Sequence, residues 1–135
     1  MLSDNELQFI KDTPLYRLAT STLNGRSHVV PMHTRMDGDD IVIGGHHFDI
    51  SYKRKLIDRN QWIACVWDTK DEIEGIKGVE VRGKVKATGK IWDGSEYFIL
   101  NPDKVFSWGI EEPAAESFRT KMNFGMEHHL SDSNS

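Results

Sequence analysis

The spacing of apolar and polar residues changes several times along this chain, and each change marks an element. Ser3 and Glu6 stand at capping-box spacing, and Leu7 and Ile10 follow on one face. This predicts a short helix over 4–12 that Pro14 stops. Leu15 to Ser21 is strand-like, Asn24-Gly25 is a strong hairpin signal, and Ser27 to Met36 reads as the returning strand. Pro31 interrupts that strand. Having no N–H to give to a ladder, it places the strand at an edge or turns its backbone toward something other than a strand, a role that a bound planar ligand would fill. Asp37-Gly38 turns the chain into Ile41-Val42-Ile43, and Asp49 or Ser51 can cap a second helix that runs to about Arg59. Trp62 to Trp67 is nearly continuous apolar and reads as a central strand buried on both faces. Val79 to Ala87 alternates, one face in and one face wet. Asp93-Gly94 turns back into Tyr97 to Leu100, and Lys104 to Trp108 forms a last short strand. Six or seven regularly spaced strands with only two helices predict a mostly β fold, a small antiparallel β-barrel with short helices. A doubly wound parallel sheet would need alternating helices that this pattern lacks.

Composition narrows the class. At 135 residues there is room for one domain, and a 38% hydrophobic share with 28% charge is that of an ordinary globular chain. Residues 1–128 read as that domain, and the polar stretch 129–135 as a tail that frays. No stretch approaches the roughly 20 apolar residues of a membrane span. The start lacks the basic-then-apolar order of a secretory signal, and the single Cys65 excludes an internal disulfide, so a cytoplasmic location is expected. A net charge of −4 argues against broad nucleic-acid binding.

Few residues stand out as carriers of chemistry. Tyr52-Lys53-Arg54-Lys55 opens the second helix just after Gly44-Gly45, an arrangement suited to a phosphate dianion, although a solvated helical face has the same composition. The six histidines include the pairs His46-His47 and His128-His129, but no metal-ligand spacing occurs, so no metal is expected. His28 and His33 fall on opposite faces of one strand. His46 or His47 could serve as a neutral hydrogen-bonding group in a pocket or be an ordinary loop histidine. Trp62, Trp67, Trp92 and Phe106 read as core or interface, whereas Trp108, in a short strand ending in Trp-Gly, could wall a pocket. Cys65 lies in an apolar strand with no cation nearby in sequence, as an inert core thiol would. There is no glycine-rich dinucleotide motif, P-loop or nucleophile elbow, and the acidic runs Asp39-Asp40 and Asp71 to Glu74 read as solvated turns.

Taken in order, Arg17 to Ser21, Asn24-Gly25, Val29-Val30-Pro31-Met32, Ile41-Val42-Ile43, Lys53, Arg59-Asn60, Val81-Arg82-Gly83 and Val105 to Gly109 resemble the pyridoxamine-phosphate-oxidase-like split-barrel superfamily. The resemblance spans roughly residues 5–110. It implies a six-stranded antiparallel split barrel that forms a homodimer, with flavin or deazaflavin sites at the subunit interface. Carried over residue by residue, Lys53 matches the cation that holds the cofactor phosphate, with Ser51 and Arg54 beside it. The backbone of Val30-Pro31-Met32-His33 matches the strand along the isoalloxazine edge, and Arg82 or Trp108 would come from the partner subunit. His46-His47 stands where many flavin members carry a hydroxyl pair, and Gly78 stands where the true oxidase carries Gln. The oxidase's Arg-rich C-terminal motif is absent, which argues against that activity. Ser107-Trp108-Gly109 resembles more closely the branch that uses the deazaflavin F420, and FMN stays open as the cofactor.

The reading that follows is a homodimeric oxidoreductase that binds FMN or F420 and exchanges hydride with a small organic substrate. The cofactor supplies the redox chemistry, so no side chain need act as acid or base, and only His33 and His46 lie where a proton could be shuttled near neutral pH. The alternative is a non-catalytic flavin- or haem-binding storage or sensor protein on the same barrel, haem being served by the histidine-rich loop. An interaction module without cofactor is the third possibility. None of these involves nucleic acid or a membrane.

Overall fold

The computed structural model describes residues 1–45 and 52–111, with the side chains of Tyr52 and Lys53 left aside. Helix α1 (Asp4–Asp12) opens with a complete capping box. Ser3 Oγ accepts from the Glu6 amide at 3.1 Å, and the Ser3 amide donates to Glu6 Oε1 at 2.9 Å. These bonds satisfy two groups that a helix start otherwise leaves exposed. α1 buries Ile10, and β1 (Leu15–Ser21) follows Pro14 directly.

The remaining strands are β2 (Ser27–His33), β3 (Met36–Asp37), β4 (Asp40–Ile43), β5 (Trp62–Asp71), β6 (Gly75–Trp92) and β7 (Ser95–Trp108), with helix α2 (Tyr52–Arg59) between β4 and β5. They form one antiparallel sheet in the order β2-β1-β5-β6-β7-β4-β3. The sheet thus has seven strands rather than six, the extra one being the two-residue β3. The returning strand of the first hairpin ends at His33, because the next rung, Thr34 N–H to the Pro14 carbonyl, is the last one: Pro14 has no N–H to return, the Thr34 hydroxyl turns to the Thr13 carbonyl, and the chain then bends toward β3.

Two further expectations are corrected. Tyr97–Leu100 and Lys104–Trp108 are not separate strands but one β7, which follows β6 along nearly its whole length. Pro102 is accommodated by a register shift between Arg82 and Gly83. Only glycine fits there, since a Cβ on Gly83 would lie 2.0 Å from the Asn101 carbonyl oxygen. Strand β5 is central, with β1 on one side and β6 on the other, but it is not buried on both faces. Ile63, Cys65 and Trp67 are buried, whereas Ala64 and Val66 are only partly covered and Trp62 is 48% exposed.

The core gathers Tyr16 and Leu18 from β1, Ile41 and Ile43 from β4, the inner residues of β5 to β7, and Ile10 and Ile57 from the helices. Strands near opposite ends of the sheet therefore share one interior, so the sheet is curled around it, as in a split barrel. Trp67 anchors this core. Its ring stacks on Tyr16 with centroids 4.8 Å apart, and its Nε1 donates to Thr34 Oγ1 at 3.0 Å.

Candidate functional site

The expected site residues fall into three groups. The first is β2. The ladder to β1 is bracketed by Thr22 N–H donating to the Arg26 carbonyl and Thr34 N–H donating to the Pro14 carbonyl, both at 2.9 Å. Hydrogen-bonded pairs alternate along an antiparallel ladder. With this register, the backbones of His28, Val30 and Met32 face β1, and those of Ser27, Val29, Pro31 and His33 face away from it. No strand pairs with that outer side among the described residues. Pro31 thus stands at an edge, as its missing N–H requires, in an outward slot where no ladder bond is lost. The outward groups run Val29 N–H, Val29 C=O, Pro31 C=O, His33 N–H and His33 C=O, so the missing proline N–H leaves two carbonyls side by side between two donors. Side chains alternate as well. Val30 and Met32 pack against the core, while Val29, Pro31 and His33 are exposed, so His28 and His33 do point to opposite faces.

The second group is α2. Lys53 lies in its first turn, whereas His46, His47 and Ser51, together with the capping position Asp49 and the tail with His128-His129, lie outside the described residues. Arg54 does not belong to a solvated face. Its side chain is 19% exposed, donates to Asp58 at 3.0 Å and Glu96 at 3.4 Å, and lies over the Phe98 ring at 4.6 Å. It ties α2 to β7.

The third group lies on the outer face of the sheet. Register places Pro31, Arg17, Val66, Glu80 and Phe106 in one row across five strands, and Val29, Ala19, Ala64, Arg82 and Lys104 in the next. Cross-strand partners share a face, so Arg82 and the exposed side chains of β2 look out on the same side. Arg82 donates to Glu80 at 3.1 Å and lies 4.9 Å from the centre of the Phe106 ring. It sits three strand spacings from β2, about 14 Å away.

Trp108 ends the long β7 rather than an isolated strand. It faces Gly78 across the ladder, and a Cβ on Gly78 would lie 2.5 Å from Trp108 Cζ2. The indole occupies the space that a side chain at this position would need, which accounts physically for the glycine. Among the described residues Trp108 Nε1 is buried without an acceptor, and the Tyr16 and Thr20 hydroxyls are buried without a partner. An orphaned buried donor costs roughly 1–3 kcal/mol.

Sequence reasoning missed Arg35. Its guanidinium donates to Asp93 at 3.3 Å, lies 5.5 Å from the centre of the Trp92 ring and packs beside Gly45. Nothing local distinguishes this arginine, because its partners are about sixty residues away. Burial raises the Cys65 thiol far above its ordinary range, with Glu80 adding to the effect, so it is no nucleophile at neutral pH. Tyr16 is raised by the same cause, desolvation. Among the described residues, no group of three or more potential ligands could hold a metal, and no helix is long and apolar enough to cross a membrane.

No protein-family model and no curated protein sequence matches the chain. Solved structures do match its fold. They include the conserved hypothetical protein Rv2991 from Mycobacterium tuberculosis, 14% identical with a TM-score of 0.66 over 80% of this chain and 85% of that one. HutZ, the heme storage protein from Vibrio cholerae, is 15% identical with a TM-score of 0.60, covering 82% and 97%. The FAD binding protein from Mycobacterium smegmatis is 19% identical with a TM-score of 0.56, covering 78% and 91%.

Proposed function

We propose, from the pyridoxamine-phosphate-oxidase-like split-barrel fold that this chain shares with those proteins, that it is a homodimeric flavin- or deazaflavin-binding oxidoreductase. The observation that carries this reading is the outer edge of β2. It offers the Val29 and His33 N–H groups and the carbonyls between them at a place where Pro31 opposes pairing with another strand. A flavin's pyrimidine edge carries carbonyl acceptors and an N–H donor that such free backbone groups can meet. When bound, such a ring supplies hydride transfer.

The chain's own residues bind and orient. The outward backbone of Val29 to His33 fixes the ring edge, and the basic start of α2 holds the phosphate, with Lys53 as the principal cation. Glu96 and Asp58 fix Arg54. Within one chain Arg82 is too far from β2 to touch the same ring edge. Arg82 or Trp108 reaches the ring from a second copy, and the half-covered outer face is where that copy packs. His33, exposed at the end of β2, is the described group best placed to exchange a proton with a small organic substrate.

Haem binding without catalysis is the second reading. It is supported by the heme storage protein HutZ and by the heme binding protein from Mycobacterium smegmatis, 12% identical with a TM-score of 0.63. A porphyrin rim is hydrocarbon apart from its propionates and makes little use of a hydrogen-bonding strand edge, which favours the flavin.

Titration of the full chain with FMN, F420 and haemin, followed by fluorescence and absorbance, separates the readings. Tight binding of FMN or F420, weakened about 10- to 100-fold by Lys53→Ala, is the expected result, the scale of a charged hydrogen bond. Haemin binding alone, with no flavin binding, would overturn it. Hydride transfer by the loaded protein to a panel of acceptors then tests the oxidoreductase step.

A further inference from the structure

The Asp93-Gly94 turn that joins β6 to β7 is a rigid tip. Both residues take the left-handed backbone of a tight two-residue turn, with φ of 55° and 82°. Behind it the ladder is interrupted after Ala87, and Thr88 spans the break. Its hydroxyl donates to the Tyr97 carbonyl at 2.8 Å and accepts from the Lys90 amide at 3.0 Å. The Trp92 and Tyr97 rings meet edge to face with centres 5.9 Å apart.

This tip touches the chain at two places, one on either side of residues 46–53. The first is the end of β4. Gly44 passes so close to β7 that a Cβ there would lie 2.9 Å from Tyr97 Cβ, and Gly45, at φ +149°, packs against the Arg35 guanidinium. The Asp93 carboxylate holds that guanidinium over Trp92, and the Arg35 carbonyl accepts from the Val42 amide of β4 at 2.9 Å. The second place is the first turn of α2, where Arg54 donates to Glu96 and covers the Phe98 ring. The bond from Arg54 to Asp58 lies within α2 and would form wherever the helix stood. Contact with Glu96 and Phe98 fixes where the helix starts.

As supports of overall stability these pairs count for little. The Asp93 and Glu96 side chains are 44% and 33% exposed, and such ion pairs shift a folding equilibrium by about fivefold at most. As constraints they count for more, because a binding group must be held to within about 0.5 Å by neighbours that need not touch the ligand. Lys53 directly precedes Arg54, so whatever fixes the start of α2 also fixes the cation assigned to the phosphate.

We infer, resting on the flavin reading, that Asp93 and Glu96 are positioning residues: through Arg35 and Arg54 they make the β6-β7 tip set the place of Lys53 in the phosphate site. Both are carboxylates that cannot themselves hold a phosphate, so the double variant Asp93→Asn/Glu96→Gln removes no direct contact. Asn accepts left-handed backbone, which preserves the turn. In limited trypsin digestion of the full chain without ligand, this variant should be cut after Lys53, Arg54 or Lys55 about three- to tenfold faster than wild type. That is the change in open population expected from losing a hydrogen bond. Cutting after Arg26 and the Tm should not change. A second measurement compares FMN with riboflavin, or F420 with its deazariboflavin chromophore, ligands that differ in the phosphate. The variant should weaken the phosphate-bearing one about three- to tenfold and leave the other as it was. In a Lys53→Ala background that difference should largely vanish, since the tip acts through Lys53. Wild-type cutting rates, faster cutting throughout the chain, or equal losses for both ligands would each overturn the inference. Accelerated cutting with no binding of any flavin would overturn the flavin reading while bearing out the hold of the tip on α2.

Discussion

The two faces of β5 carry similar residues and meet different fates. Inward, Ile63, Cys65 and Trp67 are sealed by strands and helices of the same chain. Outward, Trp62, Ala64 and Val66 stand in rows with Arg17, Glu80 and Arg82 and stay partly covered. A strand apolar on both sides needs cover on both sides. Here the described chain supplies one cover, and the proposed second copy supplies the other. The inner face holds the fold together, while the outer face is where the proposed function assembles.

This contrast can be tested from its strongest consequence downward. Trp67→Ala removes the largest fully buried ring together with its bond to Thr34. It should cost about 3–5 kcal/mol of unfolding free energy in urea titration. A loss below 1 kcal/mol would mean that the inner face is not the anchor described. Gly78→Ala forces its new methyl against the Trp108 indole. A cost of about 1–3 kcal/mol with a changed tryptophan emission is expected. Trp108→Ala should absorb much of that cost in the double variant, whereas strict additivity would show that the two sites do not touch.

Cys65 tests the inner face by pH. Its folded pKa is raised above the unfolded value, so its contribution to stability is whole below the ordinary thiol range and declines as pH climbs above about 8.5. Between pH 7.5 and 9.5 the wild type should lose stability with a slope approaching 1.4 kcal/mol per pH unit at the upper end. Cys65→Ala, though less stable at the outset, should lack that slope. Equal slopes in the two proteins would place the thiol in contact with water.

The smallest effect on the single chain is expected from Val66→Asp on the outer face, within about 0.5 kcal/mol for the isolated protomer. Its effect on assembly should be large, converting a dimer to a monomer in light scattering and weakening flavin binding with it. A Val66→Asp protein that unfolds as readily as Trp67→Ala would show that its own chain already covers this face.

Much of this architecture was legible in short windows of sequence. The capping box of Ser3 and Glu6, the stop at Pro14, the turns at Asn24-Gly25 and Asp93-Gly94 and the edge position of Pro31 all depend on neighbours within a few residues. Local conformational preference and a missing N–H determine them, and these act wherever such residues occur. Tertiary structure alone decided which apolar face of β5 is sealed, that Gly83 lets β7 pass Pro102 unbroken, and that Trp108 fills the space beside Gly78. It also brought Arg35 to Asp93. Each of these depends on contact between backbones or side chains from separate strands, and the period of hydrophobic residues within one strand carries no record of what packs against it.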